Sequence, residues 1–119
     1  MVRNYLHAVF VEKSLAKAET FWAGQMIQHN PQMPNGLDVL RQFISNPMPG
    51  PGFEQGMVVA QGNLVMSHGR YSGWAGKTLI AVDIFRIEGG KIVEHWDVMQ
   101  EEVPVDKTAN GNPMFTPAA

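Results

Sequence analysis

The stretch Val82–Gln100, VDIFRIEGGKIVEHWDVMQ, decides how this chain folds. It reads as two strands joined at Gly89-Gly90, because a short hairpin loop needs positive φ and glycine takes it without steric cost. The flanks are rich in Val, Ile, Phe and Trp, which suit a pleated, half-buried surface. Side chains alternate along a strand, so Asp83, Phe85 and Ile87 share one face, as do His95, Asp97 and Met99. With one bulged residue in the connection, Asp83 falls opposite Asp97 and Phe85 opposite His95. Without it the pairing slips by one and Asp83 meets Trp96. The bulged register gathers the polar groups on one face and is the expected one. Alternation puts Arg86 on the face opposite Asp83.

Thr78 to Ile87 is apolar on both faces, apart from Asp83. A strand buried on both sides is central, with helices on one side and another surface, such as a second subunit, on the other. An ionised carboxylate in such surroundings costs several kcal/mol unless it is paired, so Asp83 predicts a close partner. His95 and Asp97 are the natural ones.

Upstream, Val2, Tyr5, Leu6, Val9 and Phe10 recur at helical spacing and predict a first helix over Val2–Val11. Its abrupt start leaves open a helix that begins before Met1. Ser14 caps a second, about Leu15–Ala23, with Trp22 on its apolar side as a core residue. Met26–His29 reads as a short strand. At its end Gln28, His29 and Asn30 present three polar tips in an apolar context. They either start a turn at Asn30-Pro31, with His29 satisfying buried backbone, or place His29 and Asn30 in a pocket. Asn35 is the expected cap of a third helix, Leu37–Ser45. The loop Asn46–Gly52, NPMPGPG, is a candidate rim for a cavity. Strands GMVVAQ and LVMSHGRYSG then flank the hairpin signal Gly62-Asn63. Met66, His68 and Arg70 share one face there, and Ser67, Gly69 and Tyr71 the other. His68 is either a satisfied core histidine or a pocket group. Trp74, at the tip of the loop Gly73–Lys77, is placed to line a ligand mouth or meet a partner subunit.

With 119 residues, a single domain over residues 1–119 is expected, with 103–119 as an extended tail. A 45% hydrophobic and 17% charged composition is that of a globular chain, not a disordered one. The net charge of −2 and the lack of any Lys/Arg cluster argue against nucleic acid and anionic membrane as partners. Without cysteine there are no disulfides, thiolate nucleophiles or cysteine metal sites. No apolar run approaches membrane-spanning length and no signal-peptide pattern opens the chain, so a cytoplasmic protein is expected.

Helices followed by strands in hairpins argue for an α+β fold, three N-terminal helices packed on one face of a curved antiparallel sheet that encloses a pocket. IQHNP after two helices, DIFRIEGGKIVEHWDV in the last hairpin and NGNPMF in the tail resemble the SnoaL-like polyketide cyclase family, of the nuclear-transport-factor-2-like or ketosteroid-isomerase-like superfamily. The resemblance spans nearly the whole chain. It implies a cone-shaped α+β fold with a deep pocket, a homodimer, and neither metal nor organic cofactor. In the family's cyclases an aspartate on the last strand is the acid/base for an aldol ring closure, and Asp97 matches that position. The neighbouring-strand position of an assisting histidine holds Asp83 here, while histidine stands at His95 and His68.

The resulting expectation is proton abstraction beside the carbonyl of a small apolar ligand, in a cyclase or an isomerase. Asp97 would be the base. His95, His68 or His29 would donate to the developing oxyanion, and Asp83 would orient or share a proton with Asp97. Asn30, Trp74 and Phe85 would line the pocket. Alternatively, the same Asp/His set is a buried network fixing the sheet register of a ligand-binding or dimerisation domain. A metal site would need His68 or His29 to complete a set with His95 and Asp97, and an epoxide hydrolase would need Arg70 or Arg86 beside Asp83 and Asp97.

Overall fold

The computed structural model describes residues 1–46 and 52–118. Helix α1 (Val2–Leu6) runs on into a π-helical turn, His7–Val11, which together occupy the span expected for the first helix. Helix α2 (Leu15–Glu19) is capped as expected by Ser14, whose Oγ accepts from the Lys17 N–H at 3.2 Å. It is shorter than expected, because Trp22 already opens strand β1 (Trp22–Gln28). The aromatic pair Phe21-Trp22 suits a strand on a core as well as a helix face, which is why apolar spacing alone overran the boundary. Helix α3 (Asp38–Ser45) follows. Asn35 does not cap it: its Oδ1 accepts from the Gln28 N–H at 2.9 Å and ties down the end of β1 instead.

Four long strands complete the chain: β2 (Gly52–Gln61), β3 (Leu64–Trp74), β4 (Lys77–Glu88) and β5 (Lys91–Glu101). With β1 they form a five-stranded sheet in the order β1-β5-β4-β3-β2. β2 to β5 pair antiparallel, but β1 lies parallel to β5, so the sheet is mixed and not purely antiparallel. The chain reaches that parallel position through the long α3 and β2–β4 excursion, a crossover that local pattern does not encode. β4 is central, as its two apolar faces require. Of the loop Asn46–Gly52, residues 47–51 lie outside the described ones.

The β4–β5 turn has positive φ at both Gly89 (56°) and Gly90 (75°). The register shifts between Arg86 and Ile87, leaving Val93 as the extra residue, and beyond it Phe85 faces His95 and Asp83 faces Asp97. This is the bulged register, with the bulge inside β5.

The helices cover one face of the sheet. Tyr5, Leu6, Val9, Ala18 and Ile44 from the helices bury against Trp22, Met26, Phe85 and Ile92 from the strands. Trp22 is core, 5% exposed, and donates from Nε1 to the Tyr5 hydroxyl at 3.1 Å. The far face keeps apolar side chains in the open: Val98 is 72% exposed, Val59 55% and Met66 41%. The C-terminal tail returns across β2. There Phe115 is buried, its ring 5.5 Å from that of His68, and the Ala118 N–H donates to the Gln55 carbonyl at 2.9 Å.

Candidate active site

Strand register builds the site. Ser67 of β3, Asp83 of β4 and Asp97 of β5 stand in one cross-strand row, with Phe85 and His95 in the next row on the same side. That side faces the helices and borders a cavity of about 370 Å³. Asp83, Phe85, His95 and Asp97 line it together with Gln28 and Asn30 from the end of β1 and Tyr71 and Trp74 from β3. Phe10, Phe43, Val39 and Leu40 from the helical layer supply an apolar wall. No Lys or Arg lines it among the described residues.

The polar groups at the sheet end form one connected set. His95 Nε2 is 2.9 Å from Asp83 Oδ1 and 3.8 Å from Asp97 Oδ2. Its Nδ1 is 2.9 Å from Gln28 Oε1. Both near partners are oxygen atoms. The Tyr71 hydroxyl donates to Asp83 Oδ2 in a very short hydrogen bond. Asn30 Nδ2 donates to Asp97 Oδ2 at 2.7 Å. The Asp83, Asp97 and His95 side chains are only 8%, 7% and 11% exposed, so these bonds act at low dielectric. Burial, and then the charge of Asp83, push the Tyr71 phenol well above its ordinary value, so it stays a proton donor.

The two carboxylates are therefore unlike. Both Asp83 oxygens are engaged, by His95 and Tyr71. Asp97 has Oδ2 on Asn30, and among the described residues its Oδ1 accepts no hydrogen bond. Asp83, His95 and Asp97 also bring ligand atoms within 4.8 Å of one another, close enough to share a cation.

Of the residues singled out from sequence, Asp83, Phe85, His95, Asp97, Asn30 and Trp74 meet at this cavity. His29 and His68 do not. His29 points to the far side of β1, stacked on Trp96 with ring centroids 4.7 Å apart, and its Nε2 is 2.7 Å from Glu94 Oε2. His68 lies on the open face of β3 under Phe115. Alternation separates both from their neighbours, since Gln28 and Asn30 share one side while His29 takes the other. The metal set built on either histidine therefore does not form. Arg70 is held by Glu54 and Glu102, and Arg86 by Glu94, away from the cavity, which removes the Asp-Arg-Asp cluster of an epoxide hydrolase. Trp74 ends β3 and does not sit on a loop tip; Ala75, with φ 51°, and Gly76 make the turn.

Sequence reading missed Tyr71 and Gln28 as site residues. Tyr71 had a signal: it shares a face with Ser67, and Ser67 pairs with Asp83.

A family model described as a SnoaL-like domain matches residues 2–95. No curated protein sequence matches the chain. Solved structures share its fold at low identity. A candidate ketosteroid isomerase from Kribbella flavida is 18% identical with a TM-score of 0.70, covering 87% of this chain and 77% of its own. An NTF-2-like protein of unknown function from Burkholderia xenovorans is 14% identical with a TM-score of 0.68, covering 87% and 82%. A candidate polyketide cyclase from Bacillus cereus is 17% identical with a TM-score of 0.67, covering 83% and 71%.

Proposed function

The chain belongs to the SnoaL-like domain family, and on that premise we propose that it is a cofactor-independent enzyme that removes a proton beside the carbonyl of a small, neutral, apolar ligand. The observation that carries this reading is the unengaged Oδ1 of Asp97, beside His95 at the polar end of an otherwise apolar cavity. Asp97 is the base, and the Asn30 amide fixes which oxygen it presents. The ligand oxygen takes the place of Gln28 Oε1 at His95 Nδ1, which donates to the enolate oxygen as charge develops, where exclusion of water strengthens the contact. Asp83, held by Tyr71, orients the imidazole and does not itself take the proton. Reprotonation at a second carbon gives an isomerase; attack of the enolate on a second carbonyl of the same molecule gives an aldol ring closure. Phe85 and Trp74 shape the apolar part, and the helices and sheet are the walls of a cone around it.

Both outcomes begin with the same step, so the test is exchange of α-protons for deuterium in α-tetralone, followed by NMR in D2O. Enzyme-dependent exchange that Asp97→Asn abolishes is the expected result. Binding of the ketone without exchange would instead favour a ligand-binding domain. The saturated Gln28–His95–Asp83–Tyr71 chain supports that second reading, since such a network also fixes a sheet without any turnover.

The homodimer belongs to the same proposal. Val59, Met66 and Val98 leave an apolar patch on the sheet face away from the helices, the side on which a second copy would complete the burial of β4.

A further inference from the structure

We propose that Gln28 is the second hydrogen-bond donor to the enolate oxygen: the ligand carbonyl displaces its Oε1 from His95, and its Nε2 then donates to the oxygen that has taken that place. This rests on the reading of the Asp97–His95 end as the place where a carbonyl compound loses its proton.

A carbonyl oxygen has two lone pairs. As the α-proton passes to Asp97, the electron pair of the broken C–H bond moves toward that oxygen, where charge collects. His95 Nδ1 serves one lone pair. Where water is excluded, the other needs a donor from the protein or remains a buried, unpaired acceptor. Few donors are at hand. No Lys or Arg lines the cavity among the described residues. The Asn30 amide is committed at both ends, with Nδ2 on Asp97 Oδ2 at 2.7 Å and Oδ1 on the Gln32 N–H at 2.9 Å. The Tyr71 hydroxyl is committed to Asp83.

Gln28 lines the cavity and is placed differently. Its Oε1 is 2.9 Å from His95 Nδ1, so a carboxamide carbonyl already occupies the position assigned to the ligand oxygen. Its Nε2, on the same carbon, donates no hydrogen bond among the described residues. The buried side-chain atoms left without a partner are Gln55 Oε1, His68 Nδ1 and Trp74 Nε1, and Gln28 Nε2 is not one of them. It is an open donor beside the place where charge develops.

The Gln28 backbone cannot follow when its side chain yields. Its N–H donates to Asn35 Oδ1 at 2.9 Å, and in β1 it is the register partner of His95. Displacement is thereby confined to side-chain torsions, which keeps the amide against the oxygen that displaced it. The last torsion of a glutamine is broad and roughly two-fold, so a half-turn about it exchanges Oε1 for Nε2.

The test follows α-proton exchange of α-tetralone by the wild type, Gln28→Met and Gln28→Glu. Methionine keeps the length of the side chain and removes the donor. It should lower kcat about 10²-fold, the scale of one lost oxyanion donor, with KM unchanged or lower because nothing has to be displaced from His95. Glutamate still accepts from His95 Nδ1 but as a carboxylate cannot donate, so it should not restore kcat. Binding of 1-naphthol, whose ionised oxygen stands in for the enolate, should weaken at least about 10-fold in Gln28→Met while α-tetralone binding does not. On the wild type, a Gln28 side-chain amide proton should move downfield when 1-naphthol binds, a readout that does not depend on a variant folding. A lower KM with unchanged kcat in Gln28→Met would make Gln28 only a stand-in for the ligand, and wild-type kcat in Gln28→Glu would make it only an orienting contact for His95. Either result, or a Gln28 amide that does not respond to bound 1-naphthol, overturns the assignment and leaves the Asp97 reading standing. If the wild type exchanges no protons of α-tetralone, both fall together.

Discussion

Asp83 and Asp97 stand directly opposite one another on neighbouring strands, and His95 Nε2 sits between them, 2.9 Å from one and 3.8 Å from the other. Their surroundings differ: Asp83 has both oxygens engaged, while among the described residues Asp97 has one that accepts no hydrogen bond. Asp97→Asn should therefore slow α-proton exchange by about 10²- to 10⁴-fold, the range for loss of a general base. Asp83→Asn should slow it less, because it disturbs His95 and leaves the base in place. Exchange rates measured for both variants check this.

Tyr71→Phe removes the hydroxyl that donates to Asp83 Oδ2 and leaves a buried carboxylate oxygen unpaired. The cost expected is roughly 1–3 kcal/mol of folding stability. Urea unfolding should show the midpoint falling with an unchanged slope.

Both tyrosines of the chain, Tyr5 and Tyr71, are buried, and burial raises both phenols above their ordinary value. In the unfolded chain they ionise near pH ~10. The folded state keeps these protons longer, so their contribution to stability is fully present below that pH and is lost as pH rises through the raised values. Alkaline titration followed at the phenolate absorption band should show neither tyrosine ionising until the far-ultraviolet circular dichroism reports unfolding. In the Tyr71→Phe protein that band should be half as large.

Asn30→Ala frees Asp97 to rotate without altering the apolar wall. A fall of about 10-fold in kcat with little change in KM is expected, the pattern of a lost orienting contact. A change confined to KM would instead make Asn30 a ligand contact.

Val98→Lys places a charge at the most open apolar position of the far sheet face. Light scattering should report a dimer for the wild type and a monomer for this variant, with α-proton exchange per chain reduced less than 10-fold. A monomeric wild type would remove the dimer from the proposal.

The last hairpin was legible because it carries three local signals at once: a Gly-Gly turn, alternation, and a polar set that only one register gathers. Trp22 and Asn35 were misplaced for a different reason. Helix spacing and capping preference are local, whereas β1's pairing with β5 and Asn35's bond to Gln28 depend on segments distant in sequence. His29 and His68 attracted notice as histidines, yet strand alternation puts each on the side away from the cavity, and that parity outweighs residue type.

Gly56 shows how the tail and the outermost strand depend on each other. A β-carbon there would come within 2.7 Å of the His68 carbonyl oxygen and 2.8 Å of the Phe115 ring, too close for either to tolerate. Any side chain at this position would unlatch the tail from β2. An uncovered outermost strand offers unpaired amide and carbonyl groups as a template for other chains. A side chain at position 56 is thus expected to leave more of the β2 edge open to such pairing, at a point remote from the cavity.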